Sequence, residues 1–179
     1  MFKKLTIIDL FLRIRMLFIN IPEHVNSGNH LKMNGSNIAF IAKVEGFDEY
    51  KLISNSLDSI LNKYSKSQFI ILSNSDFSKD LDDRYTLISP KDFDIFGFEK
   101  PALRSFLKGN NYDLMISFVM SIKPLNKLII SRINSGYKLG LQGIEDINLY
   151  DLTINNTATD IESQLEQYEY YISNLNINK

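Results

Sequence analysis

Residues 37–72 read NIAFIAKVEGFDEYKLISNSLDSILNKYSKSQFIIL, and the fold is decided here. Asn37–Val44 (NIAFIAKV) is a short apolar run that Gly46 ends. It lacks polar alternation, as a strand covered on both faces does. Asp48 follows at a helix-start position, and Ile53, Leu57, Ile60, Leu61 and Tyr64 then fall on one helical face. Gln68–Leu72 (QFIIL) is a second buried strand. Strand, helix and strand in close succession specify a right-handed βαβ crossover between parallel strands.

Downstream the same alternation continues. The polar run SNSDFSKDLDD closes the second strand, and Tyr85–Ile88 is a third, ended by Ser89-Pro90. An aromatic loop, KDFDIFGFEKP, leads into a short helix with Leu103, Phe106 and Leu107 on one side. Tyr112–Phe118 (YDLMISF) is the strongest strand in the chain. Leu125, Leu128, Ile129 and Ile133 mark another helix, with Asn134–Gly136 read as its terminator. Tyr137–Leu141 and Leu149–Ile154 are the last strand candidates. A capping-box pattern, Thr159 to Glu162, opens a final helix with Ile161, Leu165, Tyr168, Ile172 and Leu175 as its apolar face. The expected architecture is α/β: a single Rossmann-like, three-layer domain over residues 37–179, with a mostly parallel sheet of about five or six strands.

Upstream lie two other regions. Residues 21–36 are rich in Asn, Gly and Ser and read as a polar linker. Residues 1–20 read as an apolar, basic helix carrying Lys3, Lys4, Arg13 and Arg15. Asp9, Arg13 and Arg15 interrupt its apolar run, and a charge at the bilayer centre costs roughly 2.5–3.5 kcal/mol, so the segment does not span a membrane. It is too apolar to lie free in water. Docking on the domain, on a second copy or flat on a membrane surface follows.

Composition bounds the chemistry. The chain has 179 residues, 44% hydrophobic, 23% charged and 12% aromatic, enough for one proper core. A net charge of −1 argues against bulk nucleic-acid binding, which needs a basic surface. The absence of cysteine removes disulfides, thiolate metal sites and thiol nucleophiles, and fits a cytoplasmic location, peripheral at the inner membrane if the N-terminal helix lies on lipid. His24 and His30 sit in the linker with no partner residues nearby in sequence. Asp76, Asp80, Asp82 and Asp83 lack the Gly and terminal Glu of a calcium-binding loop, so no metal site is expected. Neither a GxGxxG turn after the first strand nor a Walker-type loop is present, so no cofactor is implied.

In such a sheet, ligands bind beyond the carboxyl ends of the strands where strand order reverses. For an order 3-2-1-4-5 that crevice lies between the first and fourth strands, lined by Glu45, Gly46 and Asp48 on one side and Ser117 and Ser121 on the other. The structural reading is the stronger one, with Asp48 as a helix cap or first-turn acid and Gly46 as a turn residue. Phe93, Phe96 and Phe98 form either an aromatic lid or partner surface, or packing under their loop. Arg13 and Arg15 are the interaction candidates of the N-terminal helix, whose basic face could dock on the acidic last helix (Asp160, Glu162, Glu166, Glu169). No catalytic constellation emerges. The expected role is a non-catalytic interaction or assembly module, a homo-oligomer or a complex with a protein partner formed through the N-terminal helix. The alternative is a binding protein for sugar phosphates or nucleotide sugars.

Asp92-Phe93-Asp94-Ile95-Phe96-Gly97, Tyr112-Asp113-Leu114-Met115-Ile116-Ser117 and Ser135-Gly136-Tyr137-Lys138-Leu139-Gly140 carry a resemblance. In order and spacing they resemble a Bacteroidetes family of small Rossmann-like domains of unknown function, which implies the fold and a bacterial source. More distantly, the Tyr-Asp-apolar strand, the helix and the basic-apolar-Gly strand are similar to the acceptor-side half of heptosyltransferase-type glycosyltransferases. Those enzymes place a Gly-Asp pair straight after the first strand, the carboxylate serving as catalytic base. This chain has Glu45-Gly46-Phe47-Asp48 there instead, so the resemblance implies, as part of the alternative reading, a degenerate glycosyltransferase-like domain.

Overall fold

The computed structural model describes Leu10, Phe11, Arg13 and residues 37–64, 66–119, 123–142, 147–155 and 161–174. Leu10, Phe11 and Arg13 are helical. The rest of the N-terminal segment with Arg15, the linker with both histidines, Ser121 and the Thr159 cap lie outside the described residues.

Six strands form one sheet: β1 (Ile38–Lys43), β2 (Gln68–Leu72), β3 (Tyr85–Ile88), β4 (Asn111–Ser117), β5 (Asn134–Leu141) and β6 (Leu152–Ile154). All pairings are parallel, in the order β3-β2-β1-β4-β5-β6. Order reverses between β1 and β4, the expected place. Four helices accompany the strands: α1 (Phe47–Lys63), α2 (Pro101–Gly109), α3 (Pro124–Arg132) and α4 (Ile161–Asn174). Right-handed crossovers put α1 on one face of the sheet and α2 and α3 on the other. Helix α4 returns to touch α1. Both α2 and α3 begin with Pro, whose missing N–H costs nothing in a first turn and whose fixed φ suits it.

The core is strongest where the sheet is central. Ile38, Ala39, Ile41, Ala42, Ile70, Met115 and Ile116 are fully buried, as a strand with helices on both faces requires. On the α1 face an aromatic row crosses the sheet, Phe69 stacking on Phe40 at 6.1 Å and Phe118 on Phe40 at 6.2 Å. Tyr168 of α4 meets Phe118 edge-on at 4.8 Å. Such pairs add ~0.5–1.5 kcal/mol beyond the area they bury.

Two local features depart from the sequence reading, at β5 and β6, while the polar β2–β3 connection keeps to it. The crossover from β2 to β3 contains a single short 3-10 turn (Ser78–Asp80) and no α-helix. Phe77 covers the sheet there, stacked against Tyr50 and packed on Phe47, each at 5.7 Å. Strand β5 begins at Asn134 rather than Tyr137, because Asn134-Ser135-Gly136 pair with β4 instead of ending a helix. A Cβ on Gly136 would stand 3.0 Å from the carbonyl oxygen of Asp113, so this glycine serves a close strand approach. Strand β6 is shorter than read, since Ile147–Leu149 forms a 3-10 turn that brings Tyr150 over Gly140.

Candidate functional site

Among the described residues of the strand-end crevice, Glu45, Gly46 and Ser117 are held in local hydrogen bonds. Glu45 follows β1, exposed and paired with Lys43, whose hydrogen bond holds the Glu45 carboxyl below its ordinary value. Its backbone N–H donates to the Glu49 carboxylate (2.6 Å) and its carbonyl accepts from the Ser75 hydroxyl (3.3 Å), which fixes the turn into α1. The Gly46 carbonyl receives the Tyr50 N–H. Asp48 lies exposed in the first turn of α1 beside Glu49, where acids complement the positive end of the helix.

Ser117, at the end of β4, is completely buried. Its hydroxyl receives the Tyr150 hydroxyl (3.1 Å) and the Val119 N–H (3.3 Å), and its carbonyl receives the Tyr168 hydroxyl (2.8 Å). Burial drives the Tyr168 phenol well above its ordinary value, so it serves as a neutral donor. Tyr150 and Tyr168, 7% and 2% exposed, thus close over the β4 side of the switch point. In the sequence Tyr168 reads only as part of an apolar helix face and Tyr150 has no role, because their partner Ser117 is more than thirty residues away in the chain.

The aromatic loop is different in character. Phe93 points inward and is buried, and it bridges to Glu99 in antiparallel fashion. Between them the chain makes a tight turn organised by Asp94. One carboxylate oxygen accepts from the Phe96 and Phe98 N–H groups (2.8 and 2.9 Å), and the Asp94 N–H donates to the Phe98 carbonyl (2.9 Å). Gly97 takes φ 77°, a left-handed conformation that a side chain would resist. The turn presents Ile95, Phe96 and Phe98 outward at 54%, 53% and 49% exposure. Phe11 from the N-terminal segment meets Phe96 edge-on at 5.6 Å. Phe11 is the residue the sequence reading passed over; its clue was a ring within an apolar run that has to be covered. Arg13 is exposed nearby in sequence.

Among the described residues no helix is long and apolar enough to cross a membrane. The chain belongs to a family of unknown function (DUF6913), whose model matches residues 20–175. Comparison with curated proteins gives no match. Among solved structures there is a distant match to E. coli heptosyltransferase WaaC with ADP-2-deoxy-2-fluoro heptose, at 14% sequence identity and a TM-score of 0.49. The match covers 76% of this chain and 48% of that enzyme, about half of its length.

Proposed function

We propose that this member of the family is a non-catalytic assembly module that self-associates through its N-terminal segment and the aromatic loop. The observation that carries the reading is the exposed apolar cluster Ile95, Phe96 and Phe98, which Phe11 of the same chain extends by packing edge-on against Phe96. Contiguous exposed apolar surface held on a rigid turn marks an interaction site. Asp94 and Gly97 make the turn rigid, so little entropy is lost when a second surface covers it. Small-molecule binding in the strand-end crevice is the weaker reading, because Tyr150 and Tyr168 already satisfy and cover Ser117.

Light scattering after size exclusion tests the proposal. The 179-residue chain is expected to run as an oligomer, and deletion of residues 2–19 or the substitution Phe96→Ser to shift it toward monomer with unchanged far-UV dichroism. A monomeric 179-residue chain would overturn it. Co-sedimentation with anionic liposomes, lost on deletion of residues 2–19 and kept in Phe96→Ser, would move the N-terminal segment to a membrane surface instead.

A further inference from the structure

The face of the sheet that carries α2 and α3 holds a recess of about 380 Å³. Phe98 and Glu99 line it just ahead of α2, Arg104, Leu107 and Lys108 line it from α2, and Arg132 from the last turn of α3. Arg104 and Lys108 stand four residues apart and so share one side of their helix. Leu107 is buried beneath them, and Phe98 is half-exposed at the wall. The volume is that of a small-molecule site.

Its charge is unbalanced. Three cations face one acid, and that acid is turned away from solvent, with the Glu99 side chain only 9% exposed. Glu99 holds Arg104 and Arg132 from behind. Its carbonyl accepts from the Arg104 guanidinium at 3.0 Å, and its carboxylate lies 3.9 Å from Arg132 Nε. Lys108 and Arg132 sit in last helical turns, where the dipole favours a cation, but Arg104 is in the middle of α2 and has no such reason to be basic. In a chain of net charge −1, three cations converging on one recess with an apolar wall need a different account.

We infer that this recess binds a small phosphate monoester with an apolar or aromatic body, Arg104, Lys108 and Arg132 taking the phosphate dianion and Phe98 and Leu107 the body. Two cations beyond the one balanced by Glu99 match the two charges of the ester. Guanidinium groups suit phosphate because their N–H groups pair with its oxygens two at a time. The inference shares Phe98 with the proposed association surface, while Lys108 and Arg132 belong to the recess alone, so their variants test it apart from self-association.

Titration calorimetry of the full chain at low ionic strength, with phenyl phosphate, inorganic phosphate and phenol as probes, is the test. Phenyl phosphate is expected to bind roughly tenfold more tightly than inorganic phosphate, since the ring adds apolar burial, and phenol alone is expected not to bind. Lys108→Gln and Arg132→Gln should each weaken phenyl phosphate by roughly tenfold, the worth of one charge-assisted contact. Phe98→Ala should weaken phenyl phosphate and leave inorganic phosphate unchanged, which a bare cationic patch would not do. Lys108 is exposed, so its variant keeps the fold even if Arg132→Gln does not. No heat with phenyl phosphate at millimolar concentration, or equal affinity in Lys108→Gln and the parent, overturns the inference.

Discussion

Lys138 gives this protein an unusual dependence of stability on pH. The side chain enters the core from β5 and is only 5% exposed. Its ammonium donates to the Ile130 carbonyl at 2.8 Å and lies 3.5 Å from that of Ser131, covering the carboxyl end of α3. Acceptors and helix dipole favour a cation there, yet burial outweighs them and pulls Lys138 down to about 8, with Asp151 opposing. The folded chain therefore gives up this proton near pH 8, whereas the unfolded chain keeps it until its ordinary value of 10.5. Between those values the unfolded state binds more protons, so stability rises with pH. Integrating the linkage gives about 2 kcal/mol of added stability from pH 8 to pH 10.

Tyrosines set the upper edge of that window. Burial raises Tyr85, Tyr112 and Tyr168 above their ordinary value of 10.0, Tyr112 to about 12. A phenol raised by folding contributes stability that is complete below its unfolded value and lost as pH climbs past it. The curve should thus rise to about pH 10 and fall beyond it. Urea unfolding followed by far-UV dichroism, in buffers of equal ionic strength from pH 7.5 to 10, measures the rise. In thermal melts the same change is roughly 4–8 °C for a chain of this size. Lys138→Met keeps the volume and removes the titration, so its curve should be flat to pH 10. An equal rise in parent and Lys138→Met would refute the reasoning, because the titrating group would then lie elsewhere.

Other expectations follow from single contacts. A Cβ on Gly140 would stand 2.6 Å from the Tyr150 ring, so Gly140→Ala should cost about 1–3 kcal/mol through overpacking. In a double-mutant cycle with Tyr150→Ala most of that cost should vanish, and strict additivity in urea melts would contradict it. Tyr168→Phe removes only the hydroxyl donated to the Ser117 carbonyl and should cost about 1–3 kcal/mol, since a buried acceptor is stranded; an unchanged melting temperature would count against the plug. Asp94→Ala strips the turn of the acceptor for Phe96 and Phe98, and should weaken self-association in light scattering more than it lowers the melting temperature.

The fold was largely legible because a βαβ series writes itself in local periods. NIAFIAKV and QFIIL are buried on both faces, and α1 shows a single apolar side, so the strands and helices were legible locally; the strand order was supposed, and the sheet has it. What escaped depends on contacts between distant residues. Asn134-Ser135-Gly136 carries turn chemistry, and only the carbonyl of Asp113 across the sheet shows why its glycine belongs in a strand. Ser117 stood at the right place for a ligand by the rule of strand ends, but a place is not a vacancy. The hydroxyls that fill it come from Tyr150 and Tyr168, after β5 and on α4. The same limit governs the cationic recess. Arg104 and Lys108 drew no attention in the sequence, since two cations at helical spacing are the commonest solvated pattern. Only the meeting of α2 and α3 on one face of the sheet brings Arg132 and the buried Glu99 beside them and makes a concave, charged wall from an ordinary surface. Folding thus moves the interest from the strand ends to the helical face, where the unbalanced charge and half-exposed rings remain.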